Sequence, residues 1–307
     1  MLLADGVRGL RIDRCRVRQA SGNGLLLIRT VADVTLSSCS VERCGGSGLL
    51  LADWRLRPGA DPLDFLAQAR ESPVTFCASD AGPCRINLVG CSLIGNRKMG
   101  MCTDGGGLIR VSGCEIADNQ CDGITLDNGT WGCLVEGSRI RSNGRRAGQS
   151  PGELQEDFVH TDGLLPDGSS QVKLPGVSLD NSAFCRVQGC LIEGNYGEGV
   201  KFVRASHGCT VSRNIIAWNN RGYSEGHPHF GVRLGADPRQ HPGQFDFPAN
   251  AIRVEDNDII GSHTAGILLN EGAVSNVVRG NRIVGATQTA IINRSCGGNL
   301  IEEPPLS

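Results

Sequence analysis

This sequence of 307 residues has no basic run, no long apolar run and few aromatic side chains: eight Phe, three Trp and two Tyr. Each absence excludes something. With a formal net charge of −2 and no cluster of Lys and Arg, nucleic acid is not an expected partner. No apolar stretch reaches the ~18 residues that a membrane-crossing helix needs. The opening "MLLADGVRGL" lacks the charged and apolar zones of a signal peptide. The sequence therefore implies a cytoplasmic protein if it is whole, and an extracytoplasmic one if an N-terminal part has been removed. What is abundant is Gly, 43 residues, together with Val, Ile and Leu, a composition that suggests a turn-rich β protein.

The order within this composition is a repeat. "RIDRCRV" (11–17), "TLSSCSV" (35–41), "NLVGCSL" (87–93), "RVSGCEI" (110–116), "LVEGSRI" (134–140), "RVQGCLI" (186–192), "TVSRNII" (210–216), "RVEDNDI" (253–259) and "VRGNRI" (278–283) are nine copies of one phrase, spaced 23 or 24 residues apart where nothing is inserted. One apolar column runs from Ile12 to Val278 and another from Val17 to Ile283. A turn column lies between them: Cys15, Cys39, Cys91, Cys114, Ser138, Cys190, Asn214, Asn257 and Asn281. Each copy is followed by a second strand that opens on Gly in all but the last, as in "GLLLI" (24–28), "GMCTD" (100–104), "GITLD" (123–127), "GVSLD" (176–180), "GVKFV" (199–203) and "GVRLG" (231–235). Its first and third residues after Gly are apolar and its second and fourth vary, the alternation of a strand with one face in a core.

The segment 31–41 also fits a leucine-rich repeat, but the other half of each repeat contains no helix formers. The six-residue period of a left-handed β-helix is absent. The expectation is an all-β, single-stranded, right-handed parallel β-helix of about nine coils, one domain over residues 1–307. Three insertions break it, at 53–84, 144–175 and 219–249, and "DPLDFLAQAR" (61–70) is expected to form one short helix, with Asp61 as N-cap and Pro62 at the first helical position. Over nearly its whole length the chain resembles the pectate lyase and polygalacturonase superfamily of β-helices. On such a scaffold the 14 Cys are mostly buried thiols. Coils stack ~4.8 Å apart with parallel Cβ directions, too far and wrongly aimed for a disulfide. Cys77 and Cys84 form the one pair placed to bridge, and a largely reduced set favours a cytoplasmic life.

The alternation puts Asp104, Asp127 and Asp180 in one outward column, with Lys201 and Arg233 in the adjacent one. A single Asp after a strand is commonly a turn residue. Three stacked carboxylates repel one another unless a cation or shared proton compensates, and features that costly mark functional sites. Two chemistries fit. In one, resembling the pectate lyase scheme, Asp104, Asp127 and Asp180 hold Ca²⁺, and Lys201 or Arg233 removes a proton from an acidic polysaccharide, which breaks by β-elimination. In the other, Asp residues work as a glycoside hydrolase pair: neighbouring coils give ~5 Å and alternate coils ~9.6 Å, the retaining and inverting separations. Asp127, Asp180, Lys201 and Arg233 are thus the catalytic candidates. Asp104, His160, Asp162, Tyr223 and His229 are candidates for contacting the sugar. The polygalacturonase motifs find partial counterparts, in order, in His160-Thr161-Asp162, Asp180-Asn181, Ser206-His207-Gly208 and Arg233-Leu234-Gly235, each departing at one position or more. Trp131 and Trp218 read as stacking platforms or as packing under the insertions, and His227 with His229 as loop residues. A non-catalytic glycan-binding or structural role, of adhesin or phage-tail type, is the third reading.

Overall fold

The computed structural model describes residues 1–28, 30–52, 82–144, 174–203, 205–221, 229–235, 249–261, 263–295 and 297–303. Among these, three long parallel sheets wind around one core. The first has ten strands, from Leu2–Asp5 to Thr289–Asn293; the second has ten, from Arg11–Asp13 to Leu300–Ile301; the third has nine, from Arg16–Arg18 to Arg282–Val284. Nine repeat copies therefore undercount the first two sheets by one strand each. Leu2–Asp5 pairs with Leu25–Ile28 but lacks the leading Gly, and Leu300–Ile301 is too short to show the period. No helix occurs among the described residues. The helix expected at 61–70 lies outside them, as do most of the three insertions.

Each repeated phrase lies across two short strands joined by a corner of two residues, as Arg14 and Cys15 join Arg11–Asp13 to Arg16–Arg18. The residue before the turn column takes a left-handed conformation in every coil, from Arg14 at φ 50° to Gly280 at φ 61°. Glycine adopts that conformation without strain, so five of these nine corners are Gly, and this recurrence supplies part of the high glycine count. The leading Gly of each first-sheet strand has a different cause. A Cβ on Gly100 would stand 2.5 Å from Ile116 Cγ2 and 2.7 Å from the Gly123 carbonyl oxygen. The corner is closed so tightly that only hydrogen fits there.

The turn columns are hydrogen-bonded ladders. Asn214 Oδ1 accepts from the Cys190 amide at 2.9 Å, and Asn214 Nδ2 donates to Asn257 Oδ1 at 2.9 Å; Asn257 donates in turn to Asn281. A second ladder, not picked out from the sequence, runs through Asn96, Asn119, Asn143, Asn195 and Asn219, with Nδ2 to Oδ1 distances of 2.8–3.0 Å. All five are buried. A buried amide is tolerated because each one satisfies its neighbours. Cys39, Cys91, Cys114 and Cys190 stand in the turn column, Cys133, Cys185 and Cys209 at the corner before the second-sheet strands Leu134–Glu136, Arg186–Gln188 and Thr210–Ser212, and all seven are free of disulfides. The Cys91 and Cys185 thiols donate to the Leu36 and Ala183 carbonyls, and the thiols of Cys114 and Cys209 accept from the amides of Cys91 and Cys185. Cys84 is buried, and Cys77 lies outside the described residues.

Candidate functional site

The register of the first sheet aligns the outward side chains in three columns. One runs Leu26, Leu50, Cys102, Thr125, Ser178, Lys201, Arg233, Leu268, Ile292. The next, two residues on, begins Ile28, Ala52, Asp104, Asp127. Asp180 continues it, since its amide donates to the Leu126 carbonyl at 2.9 Å as parallel pairing demands. The third column stands just before each leading Gly and includes Asn23, Ser47, Met99, Asp122 and Glu198. Its stacking follows from the hydrogen bonds of the leading Gly amides, Gly24 to Ser47, Gly48 to Met99 and Gly100 to Asp122. The corner at the Gly breaks the two-residue alternation, so that Asp122 lies on the same side as Thr125, whose Oγ1 reaches it. Neither Asp122 nor Glu198 is among the residues singled out from the sequence.

The middle coils enclose a cavity of about 350 Å³ lined by Asp104, Asp122, Asp127, Lys98 and Lys201, with Cys102, Thr125, Asn128 and Ser178 between them. Leu50, Met99, Cys121, Leu174 and Pro175 make part of its wall apolar. The carboxylates are oriented by their neighbours. Asn128 Nδ2 donates to Asp104 Oδ1 at 2.6 Å, while the Asn128 amide donates to Asp127 Oδ1 at 2.6 Å. Thr125 Oγ1 donates to Asp122 Oδ2 at 2.9 Å. Below Asp127 the backbone is braced from inside: its amide donates to Thr103 Oγ1 at 3.2 Å and its carbonyl accepts from Thr130 Oγ1 at 2.5 Å. The negative field converges on the Cys102 thiol. Its pKa is held well above the ordinary value by burial first, and then by the charges of Asp127, Asp104 and Asp122.

The repeated phrase "LDN" also has a local cause. Asn128 at φ 53° and Asn181 at φ 47° make the same left-handed corner at the end of their strands, where the preceding coil uses Gly105 at φ 80°. Asn is among the few side chains that accept this conformation readily, and it leaves the preceding Asp at the strand's last outward position.

Of the residues singled out from sequence, Asp104, Asp127 and Lys201 line the cavity. Asp180 sits in the same column and is fully buried. Arg233 is one coil beyond Lys201 and is also buried, its Nη1 3.4 Å from Oε1 of the fully buried Glu198. The two cations are thus placed differently: Lys201 on the cavity wall, Arg233 in an ion pair beneath the outer surface. The backbone amide of His229 donates to Thr264 Oγ1 at 2.9 Å, and the residue is half-buried. His160, Asp162, Tyr223 and His227 lie outside the described residues. His207 is on the second sheet's side, bridged to Ala183 and Asn250 with its ring edge-on to Phe184, and so is not brought to the cavity. Trp131 packs where a Gly107 Cβ would otherwise stand. Among the described residues no three His, Cys, Asp or Glu side chains converge as a metal site.

A family model described as right handed beta helix region matches residues 75–224. The A-module of the Azotobacter vinelandii mannuronan C-5 epimerase AlgE6 superposes with a TM-score of 0.67 at 17% identity, over 97% of this chain and 65% of its own. The chain is a right-handed parallel β-helix. This β-helix is similar to the same organism's AlgE4 A-module as well, with a TM-score of 0.67 and 15% identity over 96% of this chain and 64% of that one. The Dettilon tailspike protein gp208 follows at 0.51 and 11%, over 95% and 60%. The β-helix spans just under two thirds of the two epimerase modules. At these identities the likeness is one of fold. No curated protein matches the sequence.

Proposed function

We propose that this β-helix is a carbohydrate-active enzyme that cleaves an acidic polysaccharide by β-elimination in the cavity of the first sheet. The observation that carries the reading is the presence of Lys201 on the same cavity wall as Asp104 and Asp127. Lys201 Nζ removes the proton at carbon 5 of a uronate. The C–H electron pair forms the C4–C5 double bond, the C4–O4 bond breaks, and the departing sugar oxygen takes up a proton from Lys201 or water. Lys98, on the same wall, is the group best suited to hold the substrate carboxylate. Arg233, held by Glu198, supports the column next to Lys201. The solved structures named above lend support: a C-5 epimerase inverts carbon 5, which requires removal of the same proton.

The proposal extends to Ca²⁺ held by Asp104, Asp127 and Asp180. Carboxylate oxygens are the donors that ion takes, but the described residues close no three-residue cluster, and the elimination is therefore written through protein groups alone. One observation favours hydrolysis as the second reading. The register sets Asp104 directly beside Asp127, ~4.8 Å apart by strand spacing and close to the retaining separation.

The test is incubation with polygalacturonate and with polymannuronate, following absorbance at about 232 nm, where the unsaturated uronate absorbs, together with new reducing ends. Elimination raises both signals and hydrolysis only the second; binding with neither signal marks a non-catalytic glycan-binding protein. EDTA slows the reaction if Ca²⁺ is part of the site. A Lys201→Ala variant with full eliminating activity would remove the proposed base.

A further inference from the structure

On the third sheet's side, away from the cavity just described, Trp218 ends the strand Ile215–Ala217. Its backbone φ is 47° and the side chain is 62% exposed. Both features are unfavourable: a bulky residue in the left-handed region is strained, and an indole facing water gains nothing from burial. The positions stacked on it in the adjacent coils are Gly194 and Gly261, as the amide bonds Gly194 to Ala217 and Trp218 to Ile260 require. The indole therefore stands alone above a bare corner. A Cβ on Gly261 would fall 3.3 Å from Trp218 Cδ1, so glycine there leaves the ring its space.

Around this ring is a second concavity, of about 330 Å³, lined by Arg139, Arg141, Ser142, Glu193, Trp218 and Arg221 with Gly194. Arg139 is held by Glu193 at 2.9 Å and Arg141 by Glu115 at 2.7 Å. Arg221 has no carboxylate partner among the described residues; its guanidinium lies over the Tyr196 ring, 5.7 Å from the centroid. That stacking fixes its plane while leaving its N–H fork for a ligand. Three guanidinium groups against Glu193 in the lining leave the concavity net positive.

We propose that this concavity is a second saccharide site, separate from the catalytic cavity. A pyranose of an acidic oligosaccharide would lie with its C–H face on Trp218 and its carboxylate on Arg221 and Arg141. The flat aromatic face suits a sugar ring, and the paired N–H groups of arginine match a carboxylate. The inference shares with the proposed function the acidic nature of the polymer, but it requires no turnover.

Intrinsic tryptophan fluorescence tests it, Trp218 being exposed and the Trp131 Nε1 buried, with the Trp218→Ala protein as the reference for any signal from Trp131 and from Trp54, which lies outside the described residues. The titrants are hexagalacturonate, hexamannuronate and neutral cellohexaose, each added to the Lys201→Ala protein so that no substrate is consumed. A saturable change with an acidic hexamer is expected, absent with cellohexaose and weakened by added salt. Adding Trp218→Ala should abolish the change, and adding Arg221→Ala should raise Kd at least tenfold, both with an unchanged melting temperature. A calorimetric Kd for the acidic hexamers that is the same with and without Trp218→Ala overturns the proposal. So does equal binding of cellohexaose, or no response to any of the three at millimolar concentration. In wild type, a Trp218 response without elimination products would sink the catalytic reading and leave this one standing; products without the response would do the reverse.

Discussion

Lys201 and Leu268 occupy the same column of the first sheet, two coils apart. Their backbones pair alike and both side chains are buried and point away from the core. Around Lys201 the outward columns carry Thr125, Ser178, Asp127 and Arg233. Around Leu268 they carry Phe230, Ala265 and Ile292, packed as a small apolar cluster outside the helix. Leu26, Ile28, Leu50 and Ala52 make a matching apolar cluster on the early coils. The sheet thus has greasy ends and an ionic middle on one uninterrupted strand register. The inward columns and corner ladders set the winding, so the outward positions are left to chemistry. At the ends they cover themselves; in the middle they form a cavity.

Substitutions in the two regions should separate activity from stability. Lys201→Ala is expected to lower the elimination rate by about 10²–10⁴-fold with little change in melting temperature, read by absorbance and by circular dichroism on the same preparation. Leu268→Ala in the same column should do the opposite, costing about 2–5 kcal/mol of unfolding free energy in urea while keeping the per-molecule rate. If Leu268→Ala also removed activity without unfolding, the division between ends and middle would be wrong.

The frame common to both regions is next. Asn143→Ala takes away the acceptor for the Asn119 amide and side chain, and the donors to Ile116 and Asn195. Leaving such groups buried and unmet costs about 1–3 kcal/mol apiece before relaxation. A urea midpoint well below that of wild type is expected, with activity lost only as the fold is lost.

The smallest effect belongs to acid. His263 is buried near the apolar end, with Asn220 Nδ2 3.2 Å from its Nδ1. Its pKa is lowered to about 4, by burial first, from an ordinary value of 6.5. The unfolded chain therefore takes up the proton first as pH falls. The stability this residue supplies is full above about pH 6.5 and is lost on the way down to about pH 4. The slope is at most ~1.4 kcal/mol per pH unit, ~3 kcal/mol in all. Urea melts at pH 7 and pH 4.5 should show the loss, and His263→Gln should reduce it. An unchanged pH slope in that variant would mean that other groups carry the acid sensitivity.

Much of the site was legible because the coils keep a fixed register from one leading Gly to the next. Counting from Gly100, Gly123, Gly176, Gly199 and Gly231 places Asp104 beside Asp127 and Lys201 beside Arg233 without reference to any contact. Lys98 was missed because the count began at the Gly, and Asp122 and Glu198 because the corner at the Gly breaks the alternation, so that no count by twos reaches them. Asn96, Asn119 and Asn195 carry a signal of the same kind, each four residues before a Gly. The distinction between Lys201 and Arg233 had no such signal. It depends on Glu198 reaching across a coil to Arg233, a packing choice that spacing does not encode.

The sequence by itself determined the winding, because a period of 23 or 24 residues with alternating apolar positions has one way to bury them all: coil upon coil, like on like. Only the tertiary structure decided which outward groups share a space. Whether a carboxylate lines a cavity, as Asp127 does, or is closed in, as Asp180 is, depends on neighbours distant in the chain, and their side-chain packing follows no period.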